Sequence, residues 1–307
     1  MKRMITTALS MFMAVVMCVS ALAAEAKPLD GAASDTAAYI LKNVKVPGVG
    51  SVGGEWAVIG LARSGYRVPG VYYSTYYKNV ETYLKERKGV LHERKHTEYS
   101  RVIIALTAIG RDPRSVAGYD LTAALGDFDK TIAQGVNGAV WALIALDSGG
   151  YGTRAIREKY VAEILKRQLT DGGWSLTGKT STPDLTGMAL QALSKYQDKA
   201  AVKAATDRAL TYLSALKDTD AESAAQILIA MCELGVSDND KLVDKLLGFK
   251  TADGGFSHTA GGGAGLMPTE QALCAIVAAR RVRDGKTSLY RISSRRIYYS
   301  SNAGLKE

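Results

Sequence analysis

Six stretches of this chain carry the same apolar pattern. With Leu61, Leu106, Leu146, Leu193, Met231 and Ile276 as anchors, the preceding residue is always glycine or alanine: Gly60, Ala105, Ala145, Ala192, Ala230 and Ala275. Four before the anchors sit Ala57, Val102, Ala142, Ala189, Ile227 and Ala272. The anchors recur every 38 to 47 residues, a period that marks a helical repeat. Each anchored stretch is apolar nearly all round and predicts a buried helix. Between them lie six stretches richer in Lys, Glu and Tyr, each with one apolar stripe. They run near Ser34–Val44, Tyr76–Lys88, Leu121–Ala133, Arg154–Leu169, Ala200–Ala215 and Lys241–Lys250, and they predict surface helices. No strand alternation is present. Twelve helices in two alternating layers predict an all-α fold over residues 30–290. Its expected form is an α6/α6 toroid of six helical hairpins, with an open solenoid as the alternative.

The turns agree with that reading. Asp171-Gly172-Gly173-Trp174 and Asp253-Gly254-Gly255-Phe256 each follow a surface stretch and precede a buried one. Paired glycines permit the positive φ of a tight reversal, and the aromatic packs over it. Gly53-Gly54-Glu55-Trp56 opens the first buried helix in a related way. From Gly285 onward the pattern stops, and residues 291–307 read as an extended tail.

Composition bounds the setting. Lys2 and Arg3, an apolar Ala8–Val19 run and a small-residue Ala21-Leu22-Ala23 site predict a secretory signal peptide over residues 1–23. A second site, Ala24-Glu25-Ala26, leaves the cut open by three residues. A secreted or cell-surface location follows. No further stretch is long and apolar enough to span a bilayer. The chain has 39 basic and 30 acidic residues, a net +9. Loss of Lys2 and Arg3 with the signal leaves +7. Basic residues without interleaved aromatics exclude a nucleic-acid motif. They fit solubility first and contact with an anionic cell-surface component second. Cys18 leaves with the signal. Cys232 and Cys274 read as buried thiols among apolar neighbours, with one disulfide as the alternative outside the cytoplasm.

The residues also resemble a family. Gln168-Leu169-Thr170-Asp171-Gly172-Gly173-Trp174 is similar to the Q-x-x-x-G-x-W end of the brace repeat in squalene and oxidosqualene cyclases. The run from Ser181 to Leu193 resembles the helix that follows it. Ser51–Gly65, Thr97–Arg101 and Thr269–Leu273 resemble segments of secreted bacterial prenyltransferase/squalene-oxidase repeat proteins. The resemblance spans roughly Ser34 to Tyr290. It implies the terpenoid cyclase and protein prenyltransferase α/α-toroid superfamily, which includes the helical domain of cobalamin carriers. The ligands it implies are isoprenoid or cobalamin-like.

The implied chemistry is incomplete in these residues. Alignment places Asp184 at the middle carboxylate of the cyclase acid motif, but Thr182 and Leu185 stand where flanking acids belong. A lone carboxyl has nothing to hold it protonated for alkene protonation. Asp184 reads instead as a helix cap, as do Asn137 and Glu222 at equivalent points. The zinc site of protein prenyltransferases needs Asp, Cys and His; the region Asp253–Glu270 supplies His258 without a matching cysteine. His92-Glu93-Arg94-Lys95-His96 matches H-E-x-x-H in form, but Gly89 upstream and the charged x positions read as a loop. No metal and no cofactor is expected.

Positions nine, five and one before an anchor share a helix face. Small residues at the last of these predict open space. The expected pocket carries Asn137, Asp184 and Glu222 at its mouth and Trp56, Trp141 and Met188 on its wall. Arg101, Gln226 and Gln271 fill equivalent positions, and Glu55, Tyr99 and Glu270 border it. Tryptophans that merely fill the core are the competing reading. The functional expectation is a secreted, non-catalytic toroid that captures a medium-sized organic ligand or a partner on its concave face. The alternative is an isoprenoid-acting enzyme of cyclase or prenyltransferase type.

Overall fold

How closely these helices approach is set by their small residues. The computed structural model describes residues 27–292; the expected signal peptide and all but the first two residues of the expected tail lie outside them. Twelve α-helices alternate between two sets among the described residues, and the fold is all-α apart from one two-residue strand pair. The outer set is α1 (Lys27–Asn43), α3 (Gly70–Glu86), α5 (Phe128–Ile132), α7 (Arg154–Lys166), α9 (Ala200–Ser214) and α11 (Asp240–Leu247). The four long ones, α1, α3, α7 and α9, each bury a stripe, such as Tyr72, Tyr76, Val80 and Leu84 on α3, while the short α5 and α11 bury only Thr131 and Leu246. The buried set is α2 (Trp56–Ser64), α4 (His96–Ala108), α6 (Val136–Gly149), α8 (Pro183–Leu193), α10 (Ala221–Glu233) and α12 (Leu266–Arg283). All six anchors fall in it, each fully or nearly fully buried. No helix of the described residues is long and apolar enough to cross a membrane.

Two local departures have physical causes. The stretch Leu121–Ala133, expected as one helix, is a 3-10 turn (Leu121–Gly126) followed by α5. The break falls at Asp127, whose side chain accepts the Lys130 N–H at 3.2 Å and starts a new helix. Phe256–Ser257 and Ala264–Gly265 pair as short antiparallel strands, β1 and β2, between α11 and α12.

Successive members of the buried set pack on one another, α2 on α4, then α6, α8, α10 and α12, and α12 packs back on α2. At the α8–α10 contact a Cβ on Gly187 would lie 2.8 Å from the Gln226 backbone; at the α2–α12 contact one on Gly60 would lie 3.0 Å from Leu273 Cδ2. The Gly-Gly turns repeat the arrangement outside. A Cβ on Gly172 would meet the Arg208 carbonyl of α9 at 2.6 Å, and one on Gly254 the Asp35 carbonyl of α1 at 2.9 Å. One turn therefore leans on the next outer helix, and the last turn leans on the first. In both, the backbone N–H of the aromatic donates to a threonine hydroxyl of the following buried helix: Trp174 to Thr186 at 3.0 Å, Phe256 to Thr269 at 2.8 Å.

The segment after α12 runs across the ends of the buried helices. Arg63 donates to the Leu289 and Ser288 carbonyls at 3.0 and 2.8 Å. Tyr290 is buried, its N–H 3.2 Å from Glu233 Oε1, and Ile292 N–H reaches Ser148 O at 3.2 Å. Cys232 and Cys274 are free and buried. Burial, with the Glu233 charge, pushes the Cys232 thiol up to about 12; burial and Glu270 push Cys274 upward as well.

Candidate functional site

Neighbouring buried helices meet start to start and end to end. Glu55 pairs with Arg101 and Gly53 with Glu270 at the starts, and Ser64 with Arg280 at the ends. Their N-termini therefore gather at one end of the molecule, and the expected site residues gather with them.

Glu55 and Glu270 form the most unusual part of that end. Glu55 is fully buried and accepts from Gly50 N–H and the Tyr76 hydroxyl, both at 3.1 Å. Its second oxygen lies 3.8 Å from Arg101 Nε, and Arg101 Nη2 donates to Glu98 at 2.5 Å. Burial pushes the Glu55 carboxyl up to about 7, against the opposing pull of Arg101 and the two donors. Glu270 is fully buried too and accepts Gly53 N–H at 2.9 Å. Burial, aided by the Glu55 charge and opposed by that N–H, pushes it up to about 8. Glu55 Oε2, Glu270 Oε2, Arg101 Nε and Tyr72 Oη are buried with no hydrogen-bond partner among the described residues. Such atoms carry a desolvation cost that well-paired polar groups avoid.

Trp56 and Trp141 are 8 % and 4 % exposed. Their ring centroids are 4.9 Å apart at 59°, and Tyr290 stands 6.0 Å from Trp141, edge-on. The two indoles pack on each other instead of facing across a gap. Gln226 is buried and donates to Gln271, while Gln191 Nε2 donates to Gln226 Oε1 at 2.8 Å. An amide chain therefore links α8, α10 and α12. Tyr99 turns its hydroxyl to the loop before α4, accepting Leu91 N–H at 3.0 Å.

Asn137, Asp184 and Glu222 are half-buried at the second positions of α6, α8 and α10. They are first-turn residues and not caps. The cap positions lie two residues earlier at Gly135, Thr182 and Asp220, and only Asp220 makes a side-chain cap, accepting Ser223 N–H at 2.7 Å. An acid in a first turn still faces the positive end of the helix dipole. Arg101, Met188 and Gln271 are half-buried as well.

Glu222 Oε2 lies 2.7 Å from Nδ1 of exposed His258, and that hydrogen bond and charge raise the imidazole's pKa. With Asp220 these groups offer a metal three ligand atoms within 4.8 Å of one another. Both Asp220 oxygens are already engaged by Ser223. The imidazoles of the H-E-x-x-H match do not share a helix. His92 Nδ1 accepts Arg94 and Lys95 N–H at 3.1 Å ahead of α4; His96, buried as its first residue, lies 2.9 Å from Thr131 Oγ1.

Sequence reasoning missed Tyr72, Tyr76, Glu98, Asp220 and Gln191. For the tyrosines a signal existed. They stand four apart on the buried stripe of α3, where a hydroxyl needs a partner. Comparison with known protein families, curated proteins and solved structures finds no match to this chain.

Proposed function

We propose that the chain is a secreted, non-catalytic α6/α6 toroid of the squalene cyclase/prenyltransferase-repeat type that captures a medium-sized organic ligand or a partner on its concave face. The closed order of contacts from α2 round to α12 and back supports the toroid. One observation carries the binding reading. Away from their ends, α4, α6, α8, α10 and α12 are largely buried, yet Arg101, Asn137, Asp184, Met188, Glu222 and Gln271, all five or nine residues before an anchor, stay partly exposed, with Glu98 beside them. Exposure that gathers at these positions supports open space beside them, between the buried Thr97, Trp141 and Gln226 of the same face. Tyr290 and the segment around it cross the opposite ends, which favours approach from the N-terminal end.

A thermal-shift screen with cobinamide, isoprenoids and cell-wall fragments tests this. A binder raises the melting temperature with concentration, by about 2.7 kcal/mol of stabilisation at a hundredfold excess over Kd. The expected shift disappears in Asn137→Ala and Gln271→Ala. A shift that both variants keep locates binding elsewhere. Release of diphosphate from an isoprenoid diphosphate makes the protein an enzyme instead.

A further inference from the structure

The loop before α2, residues 48–54, is folded on itself. Gly48 N–H donates to Gly53 O at 3.0 Å, and Glu55 N–H to Gly50 O at 3.2 Å. Gly53 has φ +70, and a Cβ on Gly54 would lie 2.7 Å from Gly48 O, so this shape depends on glycine. Three hydrogen bonds tie it to side chains: Gly50 N–H to Glu55, Gly53 N–H to Glu270, and Asn79 Nδ2 to Pro47 O at 2.8 Å. Two of the three end on the buried carboxyls, and each carboxyl has a second oxygen with no hydrogen-bond partner.

The surroundings supply little countercharge. Glu55 faces Arg101 and Glu98 from α4, Tyr76 from α3 and Glu270 from α12. Glu270 faces Glu55, Tyr72 from α3 and Cys274 on its own helix. Among these groups the single guanidinium is Arg101, which faces Glu55 and is already held by Glu98.

We propose that Glu55 and Glu270 form a proton-operated latch on loop 48–54, closed while at least one carboxyl is protonated and released when both are ionised. Two carboxylates in one buried spot do not both ionise without relief from water or a cation. Helices α2 and α12 are fixed by their packing, whereas a glycine loop can lift and admit water. A carboxyl whose pKa is raised in the closed state holds its proton there. Closure is therefore favoured at low pH and lost as pH rises through about 7 and about 8. Lifting the loop moves exposed Val52 and the backbone that leads into Trp56. The latch is independent of whether the helix face beyond it binds a ligand.

Hydrogen exchange of the Gly50 and Gly53 amides from about pH 5 to 9, normalised to the intrinsic rate, tests the latch. In the wild type the protection falls at least tenfold between about pH 6 and 9. In Glu270→Gln and in Glu55→Gln, where only one acid can ionise, it stays level. Constant protection in the wild type, or the same fall in both variants, overturns the proposal. Should neither variant fold, carbon-13 titration of the wild-type carboxyls beside the amide exchange decides: protection lost at the upper carboxyl midpoint sustains the latch, and midpoints below about 6 for both, or protection that does not follow them, remove it.

Discussion

Thr186 and Thr269 each stand seven residues before an anchor, and each accepts the N–H of the aromatic that closes the preceding Gly-Gly turn. Both are fully buried. Valine keeps the shape and removes the acceptor, leaving a buried N–H unpaired. Thr186→Val and Thr269→Val should each lose about 1–3 kcal/mol in urea unfolding; variants as stable as the wild type would mean that the turns are held by packing alone. The turn itself was legible, because Gly-Gly-aromatic has one local meaning. Its threonine was not read as a partner, although a hydroxyl within an apolar stretch is a visible signal. Glu55 and Glu270 were likewise placed beside the site, but not as buried, proton-holding groups. Their partners lie 21 and 217 residues away, at Tyr76 and Gly53, and no local pattern spans such separations.

Helices were the most legible part of the chain, since period and burial are local properties. Failures occurred where one side chain overrides the period, as Asp127 does in starting α5 in the middle of the striped stretch Leu121–Ala133. The segment after α12 shows the opposite case. It has no periodicity, yet Tyr290 is buried against Trp141 while Arg63 grips the carbonyls beside it. Its order comes from surfaces made by α2, α6 and α10, so nothing within the segment announces it. Removing the ring should therefore cost a core-like amount. Tyr290→Ala is expected to destabilise the protein by roughly 2–4 kcal/mol in denaturant unfolding. A cost below about 0.5 kcal/mol, typical of a surface position, would mean that the segment does not seat there in solution.

Closure of the proposed toroid depends on how its last contact compares with the internal ones. The α8–α10 contact is backbone against backbone, because Gly187 stands where a Cβ would come within 2.8 Å of Gln226 C and O. The α2–α12 contact joins the two ends of the chain and is softer: a Cβ on Gly60 would meet the far end of the Leu273 side chain at 3.0 Å. A leucine methyl can move by a rotamer adjustment, and a peptide plane cannot. Alanine also gains about 0.5–1 kcal/mol over glycine inside a helix by losing less backbone entropy. At position 60 that gain and the crowding nearly cancel, so Gly60→Ala should stay within about 1 kcal/mol of the wild type. At position 187 the helices must separate, straining the bonds from Gln191 to Gln226. Gly187→Ala should therefore lose about 1–3 kcal/mol despite the same gain. Thermal unfolding of the two variants side by side checks the order. The reverse order would make the joining contact the tighter of the two, which a contact made by a yielding leucine side chain does not allow.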